Sequence, residues 1–282
     1  MDGYPEFREL LERTSGISLG ENKQYLVKTR LAGIMREHKF DSLSQLVRAV
    51  GGSGGHALRQ RVVDAMTTNE TQWFRDTVPF NVLQSTVLPD LGAGAGKLRV
   101  WSAACSTGQE GYSVSMAVEE FRQKNPGRLN REVEIVGTDL SAGALAVAQS
   151  GVYDGMALSR GLTPERRDRF FVRQGDSWRV KDDIRRRCTF RQGNLLQSFA
   201  MLGRFDVVFC RNVLIYFSRP NKIDILSRMA KVLAPGGYLF LGASEALPQE
   251  VSDLRMERVD GGVLYRPAAP AGQRGFAKTS AR

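Results

Sequence analysis

The sequence predicts an α/β protein: a doubly wound, mostly parallel sheet with an N-terminal helical domain and a small antiparallel β insertion. Three observations carry this. From about Lys97, apolar runs rich in β-branched residues alternate with amphipathic stretches, as in sheets covered by helices on both faces. Before that point the apolar spacing is helical. The chain then closes on two short strand-like runs, LRMERV and GVLYRP, joined by Asp260-Gly261-Gly262 as a tight hairpin.

From the N-terminus, YPEFRELLERTSGI sets Phe7, Leu10 and Leu11 at helical spacing, and KQYLVKTRLAGIMREHK sets Val27, Leu31, Ile34 and Met35 on one side of a second helix. At about 100° per residue, Lys28, Arg36 and Lys39 share a neighbouring arc of that helix. FDSLSQLVRAV is a third amphipathic piece, GGSGG (Gly51 to Gly55) a flexible break, and HALRQRVVDAM a fourth helix. Residues 1–70 thus read as a small helical domain and 71–96 as a linker helix. Strand candidates follow in KLRVWSAAC, EVEIVGTDL, CTFRQGN, FDVVFCRNVLIYF and GYLFLGASE. Helices lie between them in GYSVSMAVEEFRQK, AGALAVAQSGVY and RPNKIDILSRMAKVL, and APGG (Ala234 to Gly237) reads as a helix C-terminus and turn. Leu162 to Phe190 breaks the alternation: RFFVRQ and SWRVKD flank Gly175-Asp176, predicting the β insertion at the sheet's edge. The α/β domain spans 97–267, and the polar, basic tail 268–282 is expected to be disordered.

With 40 Lys plus Arg against 30 Asp plus Glu, the net charge is +10, which favours an acidic partner without choosing among nucleic acid, anionic membrane and protein. His38 and His56 are the two histidines, and Cys105, Cys188 and Cys210 form no C-x-x-C. No metal site and no histidine-based triad is expected, and the thiols read as free and buried. No apolar run reaches the roughly 18 residues of a membrane-spanning helix, so no membrane insertion is expected. MDGYPEFREL lacks a basic segment followed by an apolar one, so no signal peptide is expected and the expected compartment is the cytoplasm.

The stretch RVWSAACSTGQEGYSV passes from a strand through a small polar turn into a helix, where doubly wound sheets seat their ligands. Ala103, Ala104, Ser106 and Gly108 let a ligand approach the backbone, but a pyrophosphate cradle would need more glycines. Glu110, near the helix start, would repel phosphate and attract a cation, or else serve as a capping acid. Asp139 ends the second strand, where an acid meets the ribose hydroxyls of an adenosine ligand; an N-cap is its other reading, with Ser141 as the rival cap. Together the carboxylates suggest a positively charged adenosine ligand without phosphate, and S-adenosylmethionine fits. Asn194 and Leu195 follow the third strand, where they could hold the adenine edge. Arg211, Asn212 and Tyr216 follow the fourth, facing the reaction centre. Taken singly, Asn212 is more simply a turn residue and Tyr216 a core aromatic; their shared position at strand C-termini joins them to the site.

TNETQWFRD, AACSTGQEGYS, GTDLS, GNLL and FCRNVLIYF, in this order, resemble the motif set of CheR-type chemoreceptor glutamate methyltransferases. The helical N-terminal part, the β insertion and LAPGGYLFLGASE are similar too, so the resemblance covers residues 5–266. It implies the S-adenosylmethionine-dependent methyltransferase type of doubly wound sheet. The implied activity is O-methylation of specific chemoreceptor glutamates to methyl esters, a step of chemotaxis adaptation and signal transduction. It implies that Asn69, Thr71, Arg75, Glu110, Asp139, Asn194, Leu195, Arg211 and Asn212 contact S-adenosylmethionine, with S-adenosylhomocysteine as product. Arg75 and Tyr216 match the residues nearest the transferred methyl. Lys28, Arg36 and Lys39 would dock the acidic helical methylation region of a receptor, though a plain solvated face is the other reading. A carboxylate at neutral pH is already a nucleophile, so the absence of a well-placed histidine base agrees with this chemistry.

The chain departs from the family pattern in two places. Gly108-Gln109-Glu110-Gly111-Tyr112 stands where many members have Gly-Glu-Glu-Pro-Tyr, keeping the second acid. Members tethered to a receptor's C-terminal pentapeptide carry a longer, glycine-rich insertion loop, whereas RQGDSWRV is short; a pentapeptide-independent enzyme is expected. A nucleic-acid methyltransferase is one rival, favoured by the charge. Against it, Asn212-Val213-Leu214-Ile215-Tyr216 lacks the Asn/Asp-Pro-Pro-aromatic run of amino-methylating enzymes, and no base-stacking aromatic cluster is evident; no nucleic-acid partner is expected. A non-catalytic module sensing S-adenosylmethionine is the other rival. Whether a regulatory protein controls access stays open.

Overall fold

The computed structural model describes residues 2–259 and 261–268. The hairpin's Asp260 and the tail expected to be disordered, from 269 on, lie outside the described residues.

Four helices open the chain: α1 (Tyr4–Ser15), α2 (Gln24–Glu37), α3 (Leu43–Gly51) and α4 (His56–Met66). Pro5 stands in the first turn of α1, and Gly16, at φ 78°, ends it with its N–H on Glu12 O. Ser42 caps α3 by accepting from Gln45 N. Their apolar stripes meet in a core of their own, built on Phe7, Leu11, Val27, Leu31, Leu46 and Val62. Met35 is only partly buried there. One correction falls on the basic arc: α2 ends at Glu37, so Lys39 (φ 54°) stands past the helix rather than on it.

The stretch 71–96 is not one helix. It begins as a loop, with Phe74, Asp76 and Thr77 at φ 48°, 66° and 49°. Helix runs only over 78–91, with Leu83–Val87 wound as a π-helix.

Seven strands form the main sheet: β1 (Leu98–Ala103), β2 (Val133–Asp139), β6 (Cys188–Gln192), β7 (Phe205–Cys210), β8 (Leu233–Leu241), β9 (Leu254–Val259) and β10 (Gly262–Pro267). The order is β6-β2-β1-β7-β8-β10-β9. β6 through β8 are parallel, and β10 is antiparallel to both its neighbours. The chain builds outward from β1 in one direction, then the other, so the switch point lies between β1 and β7. Alternate strand residues feed opposite faces: Val100, Ile135 and Phe209 enter one core, Trp101, Val136 and Val208 the other.

The remaining strands, β3 (Val152–Asp154), β4 (Phe171–Gln174) and β5 (Ser177–Val180), make a separate antiparallel sheet in the order β3-β5-β4. The insertion therefore starts before Leu162, and Val152–Asp154 is a strand where a helix end was expected. Cys188–Phe190 belong to β6 of the main sheet. In FDVVFCRNVLIYF the strand ends at Cys210, and Leu214–Tyr216 turn as a 3-10 helix. APGG lies inside β8 rather than ending a helix, with Gly236 at φ 77° and a register shift opposite Phe205–Val207. Cys105 and Cys210 are buried, Cys188 is half-buried, and all are free thiols. Among the described residues, no helix is long and apolar enough to cross a membrane.

Candidate active site at the strand ends

A cavity opens at the C-terminal ends of β1, β2, β6 and β7, the ligand side of a doubly wound sheet. The segment 15–19, Leu26 and Arg30 of α2, and the chain from Met66 to Gln72 line its other walls. Asn69, Thr71, Arg75, Glu110, Asp139, Asn194, Leu195, Arg211, Asn212 and Tyr216 all line it. Lys28, Arg36 and Lys39 lie outside it, exposed.

The turn after β1 approaches the cavity with its backbone. Ala104 and Ser106 adopt φ 60° and 50° without being glycine, a strain that persists only where surroundings enforce it. Gly137 makes room beneath: a Cβ there would lie 2.5 Å from the Phe190 ring and 3.0 Å from Cys105 Sγ. Asp139, buried at the end of β2, fixes the turn by accepting from Ser106 N (2.7 Å) and Ser141 N (2.9 Å). Burial pushes its pKa up, opposed by these amides and that of Leu140. The cap of helix Ala142–Ser150 is Ser141, accepting from Ala144 N, which leaves Asp139 to the cavity.

Glu110 is not a helix cap. Its Oε1 accepts from Ser102 Oγ (2.7 Å) and its Oε2 from Arg211 Nη1 (3.0 Å). Arg211, with a side chain 1% exposed, also donates through Nη2 to Asp76 Oδ2 (2.6 Å) and Arg75 O (2.8 Å). One buried guanidinium thus joins β7, the helix after β1 and the loop that carries Arg75. Asp76 is a member that sequence reasoning missed, although it closes the quoted motif TNETQWFRD. Among the described residues Arg211 Nε is buried without a partner, a donor of the kind a ligand satisfies.

The other polar groups divide into engaged and open. Asn194 Nδ2 donates to Thr14 O (2.7 Å), and its Oδ1 accepts from Leu196 N (2.9 Å), so its side chain also ties α1 to the strand end. Asn69 O accepts from Ser106 Oγ (2.9 Å). Asn212, at φ 57°, has its N–H on Glu245 Oε2 (2.7 Å). By contrast, the Arg75 guanidinium donates among the described residues only to Glu70 O, at 3.3 Å. No hydrogen bond engages the Tyr216 hydroxyl among them. The loop behind Arg75 is pinned by Trp73, whose Nε1 donates to Ala157 O (3.1 Å) and whose ring meets Tyr153 and Phe171 edge-on. Sequence reasoning also missed Ile17, Leu26 and Arg30, cavity walls supplied by the helical part; no local motif marks them.

The donor set suits S-adenosylmethionine. Glu110 and Asp76 are paired with Arg211, whereas Asp139 enters no ion pair among the described residues and stands at the cavity as an uncompensated carboxylate for a cationic, hydroxyl-bearing ligand. The strained β1 turn brings backbone, not a phosphate-binding glycine loop, to the ligand.

Comparison with known proteins agrees. Residues 69–262 match the family model described as CheR methyltransferase, SAM binding domain, and residues 2–67 match CheR methyltransferase, all-alpha domain. The chain belongs to the CheR methyltransferase family. It is 54% identical over 263 residues to chemotaxis protein methyltransferase 1 of Pseudomonas aeruginosa, covering 92% of this chain and 96% of that protein. To chemotaxis protein methyltransferase Cher2 of Pseudomonas putida it is 51% identical over 266 residues, 93% and 97% of the two chains. A chemotaxis protein methyltransferase of Vibrio parahaemolyticus is 48% identical over 264 residues, 93% and 96%. This member of the CheR family is accordingly an S-adenosylmethionine-dependent chemotaxis methyltransferase. Its sheet order and the helices ahead of it are the fold expected from its motifs.

Proposed function

We propose that the protein methylates glutamate side chains of chemoreceptors, forming methyl esters. The observation that carries this reading is Arg75 with open guanidinium N–H groups and Tyr216 with a free hydroxyl, both on a cavity whose lining includes no histidine or lysine among the described residues. Such a site is poor for deprotonating an amine or alcohol and well made for receiving a carboxylate, which needs no base.

S-adenosylmethionine, when bound, supplies an electrophilic methyl group. Asp139 would accept from its ribose hydroxyls, and Glu110 with Asn69, Thr71, Asn194, Leu195, Arg211 and Asn212 would hold the rest. Arg75 orients the incoming carboxylate through a charge-assisted hydrogen bond, and the Tyr216 hydroxyl steers it. Alignment and exclusion of water supply most of the rate gain in such a displacement. Arg75 must orient rather than clamp, since tight pairing would hold the ground state.

Lys28 and Arg36 on α2, with Lys39 just beyond it, are exposed and enter no ion pair among the described residues. They would dock an acidic helical segment of the receptor. The β4–β5 turn is short, with only Gln174, Gly175, Asp176 and Ser177 around it, which supports an enzyme independent of a pentapeptide tether. A micromolar calorimetric signal with such a peptide would refute that independence.

The deciding experiment is transfer of radiolabelled methyl from S-adenosylmethionine to receptor fragments. Release of the label by mild base is expected, as for a methyl ester. Base-stable label, or label on nucleic acid, would overturn the assignment.

A further inference from the structure

The strands β7 and β8 end side by side, their ladder closing at Cys210 opposite Leu241. Just beyond, the amides of Asn212 and Gly242 have no strand partner. Both point at one carboxylate oxygen: Glu245 Oε2 accepts from Asn212 N and Gly242 N at 2.7 Å each. Its Oε1 accepts from Ile215 N at 3.3 Å. Glu245 is brought back to its own strand end by a tight turn, with Glu245 N on Gly242 O at 2.9 Å. No arginine or lysine pairs with Glu245 among the described residues, so its charge is held by backbone amides alone.

The segment under this carboxylate carries Asn212 and Tyr216. Asn212 sits at φ 57°, a left-handed conformation that a non-glycine residue keeps only where its surroundings hold it. The carboxylate is the enforcing group, because its oxygen fixes the Asn212 amide directly. Gly242 completes the fit: a Cβ there would fall 2.6 Å from Glu245 Oε2 and 2.9 Å from Asn212 Nδ2. The Ile215 amide is the middle one of the 3-10 turn Leu214–Tyr216, so the same carboxylate sets where Tyr216 starts.

We propose that Glu245 is a positioning residue of this methyltransferase, an anionic clamp that orders Asn212 for the cofactor and Tyr216 for the acceptor. The proposal rests on the reading of Asn212 and Tyr216 given above. Glu245 does not line the cavity, so it acts through them.

The test compares Glu245→Gln, Glu245→Asp and Asn212→Ala with the parent. S-adenosylhomocysteine affinity is measured by calorimetry, kcat and KM by methyl transfer, and folding by thermal melting. Glu245→Gln keeps size but sets an amide NH₂ among backbone N–H donors. It is expected to weaken S-adenosylhomocysteine about tenfold and to lower kcat at saturating cofactor by at least as much, with a cooperative melt retained. Glu245→Asp, which keeps the charge, should recover part of both. Should Glu245→Gln melt without cooperativity, Gly242→Ala presses on the same contact with the charge intact and should show the same paired losses. Parent-like affinity and kcat in Glu245→Gln, alongside weakened binding in Asn212→Ala, would overturn the clamp. Parent-like binding by Asn212→Ala would instead overturn the placement of Asn212 in the cofactor site, and the clamp's cofactor role with it.

Discussion

Arg75 and Arg211 lie next to each other in the site but have opposite tasks. Arg211 is structurally engaged: the two terminal nitrogens of its buried guanidinium hold Glu110, Asp76 and Arg75 O. Removing it leaves Glu110 without its cation, and Arg211→Ala is expected to cost about 3–5 kcal/mol of stability, read as a lower melting temperature. Arg75 keeps most of its donors free among the described residues. Arg75→Ala is expected to lower kcat about a hundredfold or more while the melt is unchanged; a well-folded, fully active variant would remove Arg75 from the mechanism. Asp139 supplies a pH signature. Its pKa is raised by burial, against the pull of the Ser141, Ser106 and Leu140 amides. A raised carboxylate binds its proton more readily folded than unfolded, so ionising it costs stability as pH rises through that range. With Asp139 as the proposed acceptor of the ribose hydroxyls, ligand binding runs the other way, because the ionised carboxylate accepts more strongly than the acid. S-adenosylhomocysteine affinity, followed by calorimetry from about pH 8 to about pH 5, is expected to fall at a higher pH than an ordinary aspartate near 3.9 would produce. A flat profile that Asp139→Asn does not alter would place the titrating group elsewhere.

The β insertion acts on the site without lining it. Trp73 leans on Tyr153 and Phe171 of the small sheet, its backbone N–H donates to Arg160 O (3.1 Å), and Gly161, at φ 90°, passes so close that a Cβ would lie 2.1 Å from Trp73 O. Gly161→Ala must therefore move the loop that carries Thr71 and Arg75. It is expected to destabilise by about 1 kcal/mol or more and to lower kcat as well. Gly175→Ala makes the contrast: φ is 60° but nothing lies near its Cβ, so it should cost stability through backbone strain and leave kcat alone. Equal kcat values for the two variants would separate the insertion from catalysis. The same elements mark where sequence reading reaches and where it stops. The Gly175-Asp176 turn announces the hairpin β4–β5, and Asp139 and Glu110 are legible because strand–turn–helix junctions are local. Val152–Asp154 is not legible as a strand: it is a three-residue strand running on from the apolar helix Ala142–Ser150. Nor is the Arg211 network, whose partners Glu110 and Asp76 stand 101 and 135 residues away in the chain. Such pairings belong to the fold, and no period in the sequence encodes them.

At the scale of the whole molecule, the helical part and the sheet are sewn together around the cavity. Ser18 N meets Tyr216 O at 2.8 Å, Asn194 Nδ2 meets Thr14 O at 2.7 Å, and Gln60 Nε2 meets Leu140 O at 3.1 Å. Helix α2 presents two faces: Leu26 and Arg30 line the cavity, while Lys28 and Arg36, the proposed docking residues, face solvent on the same helix. A partner seated on the outer face is thereby held at a fixed position relative to Arg75 and Tyr216, which a flexibly hinged docking module could not achieve. The net charge of +10 favours an acidic partner at long range, but long-range attraction alone would not depend on which surface lysines and arginines are reversed. Local docking does. Arg36→Glu with Lys39→Glu is expected to raise KM for an acidic receptor fragment about tenfold at low salt, to leave kcat and S-adenosylhomocysteine affinity at parent values, and to lose most of its effect at high salt. A double reversal at Arg255 and Arg258, exposed on edge strand β9, changes the net charge equally and controls for it. Equal KM values for the two double variants would assign the attraction to total charge and discard α2 as the docking face.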